Sequence, residues 1–324
     1  MNLSWEAILG AVQKRAALQV HGILSYGTLW FVIGISIVFA MEIVVLGYPK
    51  SSVYRLLHPT LTTKTDIIWI ICKLLGLQVF LFVGFSFGLT LIFTKIGEKF
   101  LGFHLLERPM LAGHPVLRVV LYLLWTDFLD YWIHRGRHGF GWWWEFHKGH
   151  HSAEEFNAIT TARGHPLDGV FIVFAYAIPG AVLGGGMTDL AAVLIISAVH
   201  AGLTHSMLPW SWGWFGRYVV YPPTGHRIHH SALDVHWDKN FGSIFVFWDH
   251  LFGTYYKGDV LNEEVGVDDN YQNKKGLVFD LIEPVRRAAR SIRGLPLDGS
   301  APGTASDLGA LSPVSVRERD DRAA

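Results

Sequence analysis

Two long apolar runs near the N-terminus constrain the fold more than any other feature of the sequence. Residues 26–48 form a run of about 23 residues that contains one acid, Glu42. Residues 66–93 are longer still, and Lys73 is the only charge after Asp66. Each run is long enough to cross a bilayer. Because lipid cannot hydrogen-bond to the backbone, such runs cross membranes as α-helices.

Three further apolar segments follow at 114–135, 167–186 and 189–206, the last two around a short Gly-rich turn. Apolar residues make up 51% of the chain and charged residues 17%, and both shares are typical of membrane proteins. We therefore predict an all-α, multi-pass integral membrane protein with four or five membrane helices. The fifth segment is barely long enough, so the last two segments are also compatible with a hairpin that does not fully cross.

The distribution of apolar and polar residues predicts four regions. Residues 1–113 hold the first membrane helices, and 114–257 hold a histidine-rich core. Residues 258–293 include an amphipathic basic segment, and 294–324 are rich in Gly, Ser, Pro and Ala, as in a disordered tail. The formal net charge of zero gives no basic surface for nucleic acid. The single cysteine, Cys72, rules out a disulfide within the chain and a cysteine-based metal cluster.

Three histidine clusters carry the chemistry. The sequence HRGRH at 134–138 is box one, HKGHH at 147–151 is box two, and HRIHH at 226–230 is box three. Residues three and four apart lie on one side of a helix, so each box is predicted to present its histidines on a single stripe. Neutral imidazole is a ligand for iron, zinc and copper. The predicted metal ligands are His134, His138, His147, His150, His151, His226, His229, His230 and, from the end of the fifth apolar segment, His205.

The number of histidines indicates two metal ions. A structural zinc site takes about four ligands and a catalytic one about three, whereas two ions with four or five ligands each use about eight to ten. Soluble di-iron bundles use Glu-x-x-His motifs, and this chain contains none. The ligand shell is therefore predicted to be almost entirely nitrogen. His165 is kept as an additional candidate ligand, and His200 is assigned to the core or the headgroup region.

Acidic residues near the boxes are predicted to orient the ligands. A histidine bound to metal commonly donates its second N–H to a carboxylate. Asp127 and Asp130 precede His134 by seven and four residues, on the same helical face. Asp238 and Asp249 follow box three and are weaker candidates by spacing. The alternative for Asp130 is an ion pair with a neighbouring arginine at the water boundary.

The order of the segments places the boxes on one side of the membrane. Boxes one and two lie between the third and fourth apolar segments, and box three follows the fifth. A hairpin at 167–206 returns the chain to the side that it left. The prediction is a helical cap that holds the histidine-rich dimetal site, most simply on the cytosolic side.

These motifs resemble the membrane fatty acid hydroxylase/sterol desaturase superfamily over about 115–256. The matching elements are DFLDYWIHRGRH for box one, WEFHKGHHSAEEFNAITTARGHP for box two, HSM at 205–207, and the stretch from PPTGHRIHH to FWDHLFGTYY for box three. The family has an Asn where this chain has Met207. The departure bears on contacts near His205 and leaves the boxes intact.

The resemblance implies a non-haem di-iron centre, O₂ as oxidant, electrons that come from NAD(P)H, and a lipid substrate. A haem domain is not recognisable in the sequence, so the electron donor is predicted to be a separate protein. Hydroxylation and desaturation both remain open, and the spacing of the boxes resembles the hydroxylase side of the family. The substrate is open among sterols, fatty acyl chains, ether lipids and aminolipid headgroups.

Two other classes of function compete with an oxygenase. A metal transporter or a structural zinc protein would also gather histidines, but a transporter should place its ligands within the spans. Here they lie at the ends of the spans and in the loops. A zinc hydrolase would require a carboxylate base such as that in HExxH, and the sequence has no such motif.

Overall fold

The computed structural model describes residues 28–75, 113–169, 175, 187–258, 264–268 and 270–297. Within these ranges the chain is helical, without strands, and two isolated β-bridges join Val220 to Phe245 and Ser231 to Val265. The helices are α1 (Thr28–Leu46), α2 (Ser52–Leu57), α3 (Leu61–Leu74), α4 (Pro115–Gly139), α5 (Gly141–His151), α6 (Met187–Thr204), α7 (Gly213–Tyr218), α8 (Pro223–His229), α9 (Phe247–Phe252) and α10 (Leu277–Ile292).

Among the described residues, one helix is long and apolar enough to cross a membrane, at Leu29–Leu46. Its outer side exposes large apolar residues such as Ile37 and Val44. The shorter segment Thr188–Thr204 is also apolar. The predicted second segment continues past residue 75 and the predicted fourth segment occupies 167–186, so most of both lies outside the described residues. The four or five membrane crossings therefore stay a prediction.

Local sequence signals explain where several helices begin. The Ser51 side chain accepts a hydrogen bond from the Tyr54 N–H at the start of α2, and Thr60 caps α3 in the same way through Thr63. Such caps satisfy N–H groups that have no partner within the helix. Pro115 occupies the first turn of α4, where its missing N–H costs nothing.

Helix α1 packs closely against α6. A Cβ on Gly34 would lie 2.8 Å from Val199 Cγ2, and a Cβ on Gly202 would lie 2.8 Å from Ile35 Cδ1. The missing side chains therefore allow the two helices to approach. Below this contact, Phe31, Ile35 and Val38 form a buried cluster with residues of the Ala158–Ala162 3₁₀-helix. The packing joins the N-terminal apolar helix to the segment after box two.

Helix α10 packs against α5, which carries box two. Glu145 of α5 is buried and forms ion pairs with Arg287 at 2.8 Å and with Lys148 at 3.2 Å. The Tyr271 hydroxyl also donates to the Glu145 carboxylate. The predicted amphipathic segment is thus attached to the histidine-rich core. Residues 298–324, most of the predicted tail, lie outside the described residues.

Candidate metal centre

The nine histidines that the sequence predicts as ligands lie in two adjacent groups. Within each group, one ring nitrogen from every residue lies within 4.8 Å of the others. Group A contains His134, His138, His147, His151 and His229, and group B contains His150, His205, His226 and His230. The groups touch where the rings of His151 and His230 stack, with centroids 4.2 Å apart.

The His-x-x-His-His boxes are divided between the two groups. Box two gives His147 and His151 to group A and His150 to group B, whereas box three gives His226 and His230 to group B and His229 to group A. Box one gives both His134 and His138 to group A, so only in boxes two and three do histidines from one helical side reach different groups. Successive residues on a helix are about 100° apart, so only the residues four apart point the same way.

Backbone carbonyls orient two histidines of group A. His134 Nδ1 lies 2.8 Å from the Phe241 carbonyl oxygen, and His229 Nδ1 lies 2.8 Å from that of Lys239. A carbonyl can only accept, so Nδ1 of both rings carries the proton. In the neutral ring this leaves a lone pair on Nε2.

Carboxylates orient two more histidines of group A. His147 Nδ1 lies 3.1 Å from Asp168, which also forms a 2.8 Å ion pair with Arg137. All three side chains are buried. His138 Nδ1 lies 3.5 Å from Asp238, one of the candidate acids of the sequence analysis, and the Asp238 side chain is 72% exposed. Sequence reasoning missed Asp168, because it lies in no helical register with box two.

The Nε2 atoms of group A lack partners. In each of the five residues this atom is buried, and no hydrogen-bond partner among the described residues reaches it. A buried acceptor without a partner is costly, and five in one place are exceptional. The residues with such an Nε2 atom are all five members of group A, His134, His138, His147, His151 and His229.

The Nε2 atoms of group B lie close to one another. His150 Nδ1 faces the Arg163 carbonyl at 3.0 Å, and His205 Nδ1 faces the Ala201 carbonyl at 2.8 Å. Both protons are therefore on Nδ1, and the two Nε2 lone pairs face each other at 3.2 Å. His226 Nε2 lies 3.2 Å from His205 Nε2, and His230 Nε2 lies 3.1 Å from His226 Nε2.

Burial keeps these imidazoles neutral. It lowers the pKa of His229 to about 3 and that of His205 to about 4. Burial is also the main cause that holds the pKa of His147 and His230 well below the ordinary value, and neighbouring charged groups and histidines add to it. His150 and His205 already carry their protons on Nδ1, and burial lowers the pKa of both, so no proton lies between their facing Nε2 atoms near pH 7.

The donor set fits metal cations. Nitrogens about 2.1 Å from a shared ion lie about 3 Å apart when the bonds are at right angles, which matches the spacing in group B. Imidazole suits iron, zinc, copper and nickel. Five and four nitrogens are enough for two ions.

Three acids hold a loop rather than a histidine. Asp127 accepts from the Ile244 and Phe245 N–H groups at 2.8 and 3.0 Å, and Asp130 accepts from the Ser243 hydroxyl. Buried Asp249 accepts from the N–H groups of Phe241 and Gly242, both at 2.7 Å. The described structure places neither Asp127 nor Asp130 against a ligand histidine, so the predicted direct contacts are wrong. Their side chains reach 241–245, the loop whose Phe241 carbonyl orients His134.

The candidate ligand His165 and the core residue His200 both lie outside the two groups. His165 Nε2 bonds to the Leu281 carbonyl at 2.9 Å, and its Nδ1 accepts from the Leu167 N–H. It therefore links the segment after box two to α10. His200 is buried, and its Nε2 bonds to the Tyr221 carbonyl at 3.0 Å, which agrees with its assignment to the core.

A pocket of about 300 Å³ opens beside group A. His138, His151 and His229 contribute to its wall, together with the aromatic rings of Trp144 and Trp237. Polar groups, including Lys148 and Asp268, line another part. Ligand pockets usually combine apolar walls with a few polar groups in this way.

The helical fold and the two histidine groups are compatible with the histidine-ligated class of metalloproteins. The model of the family "Fatty acid hydroxylase" matches residues 119–254, which carry all three boxes and His205. The histidine-rich core at residues 119–254 therefore matches the membrane fatty acid hydroxylase superfamily. The predicted family resemblance is confirmed.

Curated relatives include several lipid oxygenases. The chain is 27% identical over 216 residues to an ornithine lipid hydroxylase of Rhizobium tropici. The match covers 66% of this chain and 63% of the relative. It is 29% identical over 140 residues to the alkylglycerol monooxygenase of Xenopus tropicalis. This match covers 42% of this chain and 30% of the relative. A very-long-chain aldehyde decarbonylase of Oryza sativa subsp. indica is 26% identical over 50% of this chain and 56% of its own length.

The chain spans less than two thirds of the length of these curated relatives. No solved structure matches it. The names of these relatives describe different reactions, so similarity to them does not fix the reaction of this chain.

Proposed function

We propose that the protein is a membrane-bound non-haem di-iron oxygenase that hydroxylates a C–H bond of a lipid with O₂ and reducing equivalents. The observation that carries the proposal is the pair of histidine groups, whose ring nitrogens converge in mostly buried positions within 4.8 Å of one another in each group. The assignment of iron comes from the family, since imidazole itself also suits zinc and copper. The nine histidines are the proposed ligands, five for one ion and four for the other.

When bound, the iron pair would activate O₂ and supply the oxidising power for an unactivated C–H bond. The hard chemistry belongs to the metal, and the protein supplies binding and orientation. The chain fixes the protonation state of its ligands through Nδ1: carbonyls hold His134, His229, His150 and His205, and Asp168 holds His147.

Residues around the ligands keep water from the reacting position. Most of the nine imidazoles are buried, and Phe156 stacks on the His205 ring with centroids 5.2 Å apart. On the side of group A, the pocket gives a reactant access to three ligand histidines. A buried site that a substrate reaches through a pocket favours oxidation of the bound substrate over side reactions with water.

A lipid substrate is supported by the family and by the names of the relatives. The apolar outer side of α1 and the exposed aromatic residues Trp125 and Trp132 of α4 fit a protein that lies in or against a bilayer. We place the histidine boxes on the cytosolic side of a multi-pass protein, with a separate protein that delivers electrons from NAD(P)H.

Lipid mass spectrometry tests the reaction directly. A strain that lacks the gene is compared with the same strain that expresses the protein. Hydroxylation adds about 16 mass units to one lipid class, whereas desaturation removes about two. A gain of about 16 supports the proposal, and a loss of about two would assign the alternative, a desaturase with the same metal site.

Metal analysis separates an oxygenase from a hydrolase or a transport protein. Two irons per chain, together with lipid turnover that requires O₂ and a reductant, support the proposal. Zinc in equal amount to the protein with full activity in anaerobic buffer would instead indicate a hydrolase. Bound metal without lipid turnover, in the presence or the absence of O₂, would indicate a structural zinc protein or a transporter.

A further inference from the structure

Two buried acids of the N-terminal helices have no place in the function described so far. Glu42 lies in α1, which is otherwise without charge, and Asp66 lies in α3. Both side chains are 0% exposed. Burying a carboxylate is costly unless hydrogen bonds or a cation compensate it. Both residues also lie outside 119–254, the part of the chain that the family model matches.

Glu42 holds the segment that follows His205. One carboxylate oxygen accepts from the Met207 N–H at 2.9 Å, and the other accepts from the Ser52 N–H at 2.8 Å. Met207 is two residues after His205, at the point where the chain leaves α6. Hydrogen bonds to a charged acceptor are stronger than neutral ones. Glu42 therefore fixes the position at which His205 enters group B.

Asp66 holds the segment that orients His150. One oxygen forms a 2.6 Å ion pair with Arg163, and both side chains are fully buried. The other oxygen accepts from Asn157 Nδ2 at 2.7 Å. The carbonyl of the same Arg163 accepts from His150 Nδ1 at 3.0 Å. Asp66 thus fixes the backbone group that sets the protonation and orientation of His150.

Both routes end in group B. Group A is oriented instead by Asp168, Asp238 and the carbonyls of Lys239 and Phe241, all of which lie within 119–254. We infer that Glu42 and Asp66 are positioning residues for group B, so that the N-terminal helices determine whether the second metal ion is held. The inference rests on the proposed function, because it requires that both groups bind metal.

The test uses the full-length chain in lipid nanodiscs, with the variants Glu42→Gln and Asp66→Asn. Each amide keeps the shape of the side chain but replaces one acceptor with a donor and removes the charge. Asp189→Asn is the matched control, because Asp189 is a buried acid on α6 that pairs with Arg118 at 3.3 Å, away from both groups. His205→Ala supplies the reference for a chain that lacks a group B ligand.

The readout is iron per chain, together with the EPR signal of an isolated ferric ion, which coupling between two irons suppresses. The expected iron content is two per chain for the wild type and Asp189→Asn, and one for Glu42→Gln, Asp66→Asn and His205→Ala. The three one-iron proteins should share the isolated-ion signal. If an amide variant does not fold, Glu42→Asp or Asp66→Glu replaces it, since each keeps the charge and changes only the length of the side chain. The expected result is again one iron per chain.

Two results would overturn the inference while the wild type holds two irons. The first is two irons in folded Glu42→Gln and Asp66→Asn. The second is loss of both irons from a folded variant, which would mean that the acids support the whole core rather than group B. A wild-type chain that does not hold two ions would overturn the proposed function itself, and the inference with it.

Discussion

The two His-x-x-His-His boxes have the same spacing but divide their histidines between groups A and B in opposite proportions. Box two lies on the 11-residue helix α5 and gives two histidines to group A and one to group B. Box three covers the end of the seven-residue helix α8 and its C-cap, His230, and gives one histidine to group A and two to group B. The spacing therefore determines which pair shares a group, and the packing of the two helices determines which group the pair joins.

The supports of the two boxes also differ. Box two depends on side chains: Asp168 orients His147, and α10 is attached to α5 by the Arg287–Glu145 ion pair. Box three depends more on backbone: His229 bonds to the Lys239 carbonyl, and the Gly266 N–H donates to the His230 carbonyl at 3.2 Å. Single substitutions outside the ligands should therefore harm box two more than box three.

The largest effects are expected from His151→Ala in box two and His230→Ala in box three. Their rings stack at the boundary between the groups, so the division into groups predicts that the first removes an ion from group A and the second from group B. Lipid oxidation should fall by more than about 100-fold in both, since even partners of metal ligands cost about 10–100-fold.

Mössbauer spectra of the two iron-loaded variants check this division. The wild type should show two components, and each variant should lack a different one. Loss of the same component from both variants would show that the nine histidines do not divide into two groups.

The attachment of box two to α10 is tested by Arg287→Ala. The change leaves the buried Glu145 carboxylate without its closest cation. Breaking one partner of a buried ion pair costs about 3–5 kcal/mol, so the unfolding temperature of the detergent-solubilised protein should fall markedly. Truncation after residue 297 keeps α10 and serves as the control with an unchanged unfolding temperature. Equal stability of Arg287→Ala and the wild type would contradict the role of this ion pair.

Asp168→Asn and Asp238→Asn compare a buried carboxylate with an exposed one. Asp168 is buried, contacts His147 and pairs with Arg137, whereas the Asp238 side chain is 72% exposed and lies 3.5 Å from His138. Loss of the buried charge should weaken metal binding by about 10–100-fold. Loss of the exposed charge should change it only a few-fold, because water screens the interaction. Competition with a metal chelator measures both affinities, and the reverse order of effects would refute this reading.

The smallest effect is expected from Asp130→Asn. Its carboxylate contacts the Ser243 hydroxyl and no ligand histidine. The iron content should be unchanged, and stability should fall by about 0.5–1.5 kcal/mol, the value of an ordinary hydrogen bond. A substantial loss of iron would restore the prediction that Asp130 supports a ligand directly.

The candidate site was predictable from sequence in its residue types. Spacing and the count of histidines identified all nine members of the two groups, including His205, which belongs to no box. The structure adds the orientation of Nδ1, which depends on carbonyls such as that of Phe241, more than one hundred residues from His134. Sequence spacing does not contain such long-range contacts.

The acids show why the remaining contacts could not be predicted. Asp127 shares a helical face with His134, yet its carboxylate reaches the backbone of Ile244 and Phe245. Asp168 has no helical relation to box two, since α5 ends at His151, yet its carboxylate contacts His147. The choice between these partners depends on tertiary packing. The same limit applies to the fold, where helix α4 was predicted closely and the packing of α10 on α5 was not.

Metal content and Mössbauer spectroscopy of the wild-type chain, purified from iron-supplemented cells, test the central claim most directly. The account predicts two irons per chain in two nitrogen-rich environments, one with five imidazoles and one with four. A single metal ion per chain, or a folded and active protein without bound metal, would contradict it.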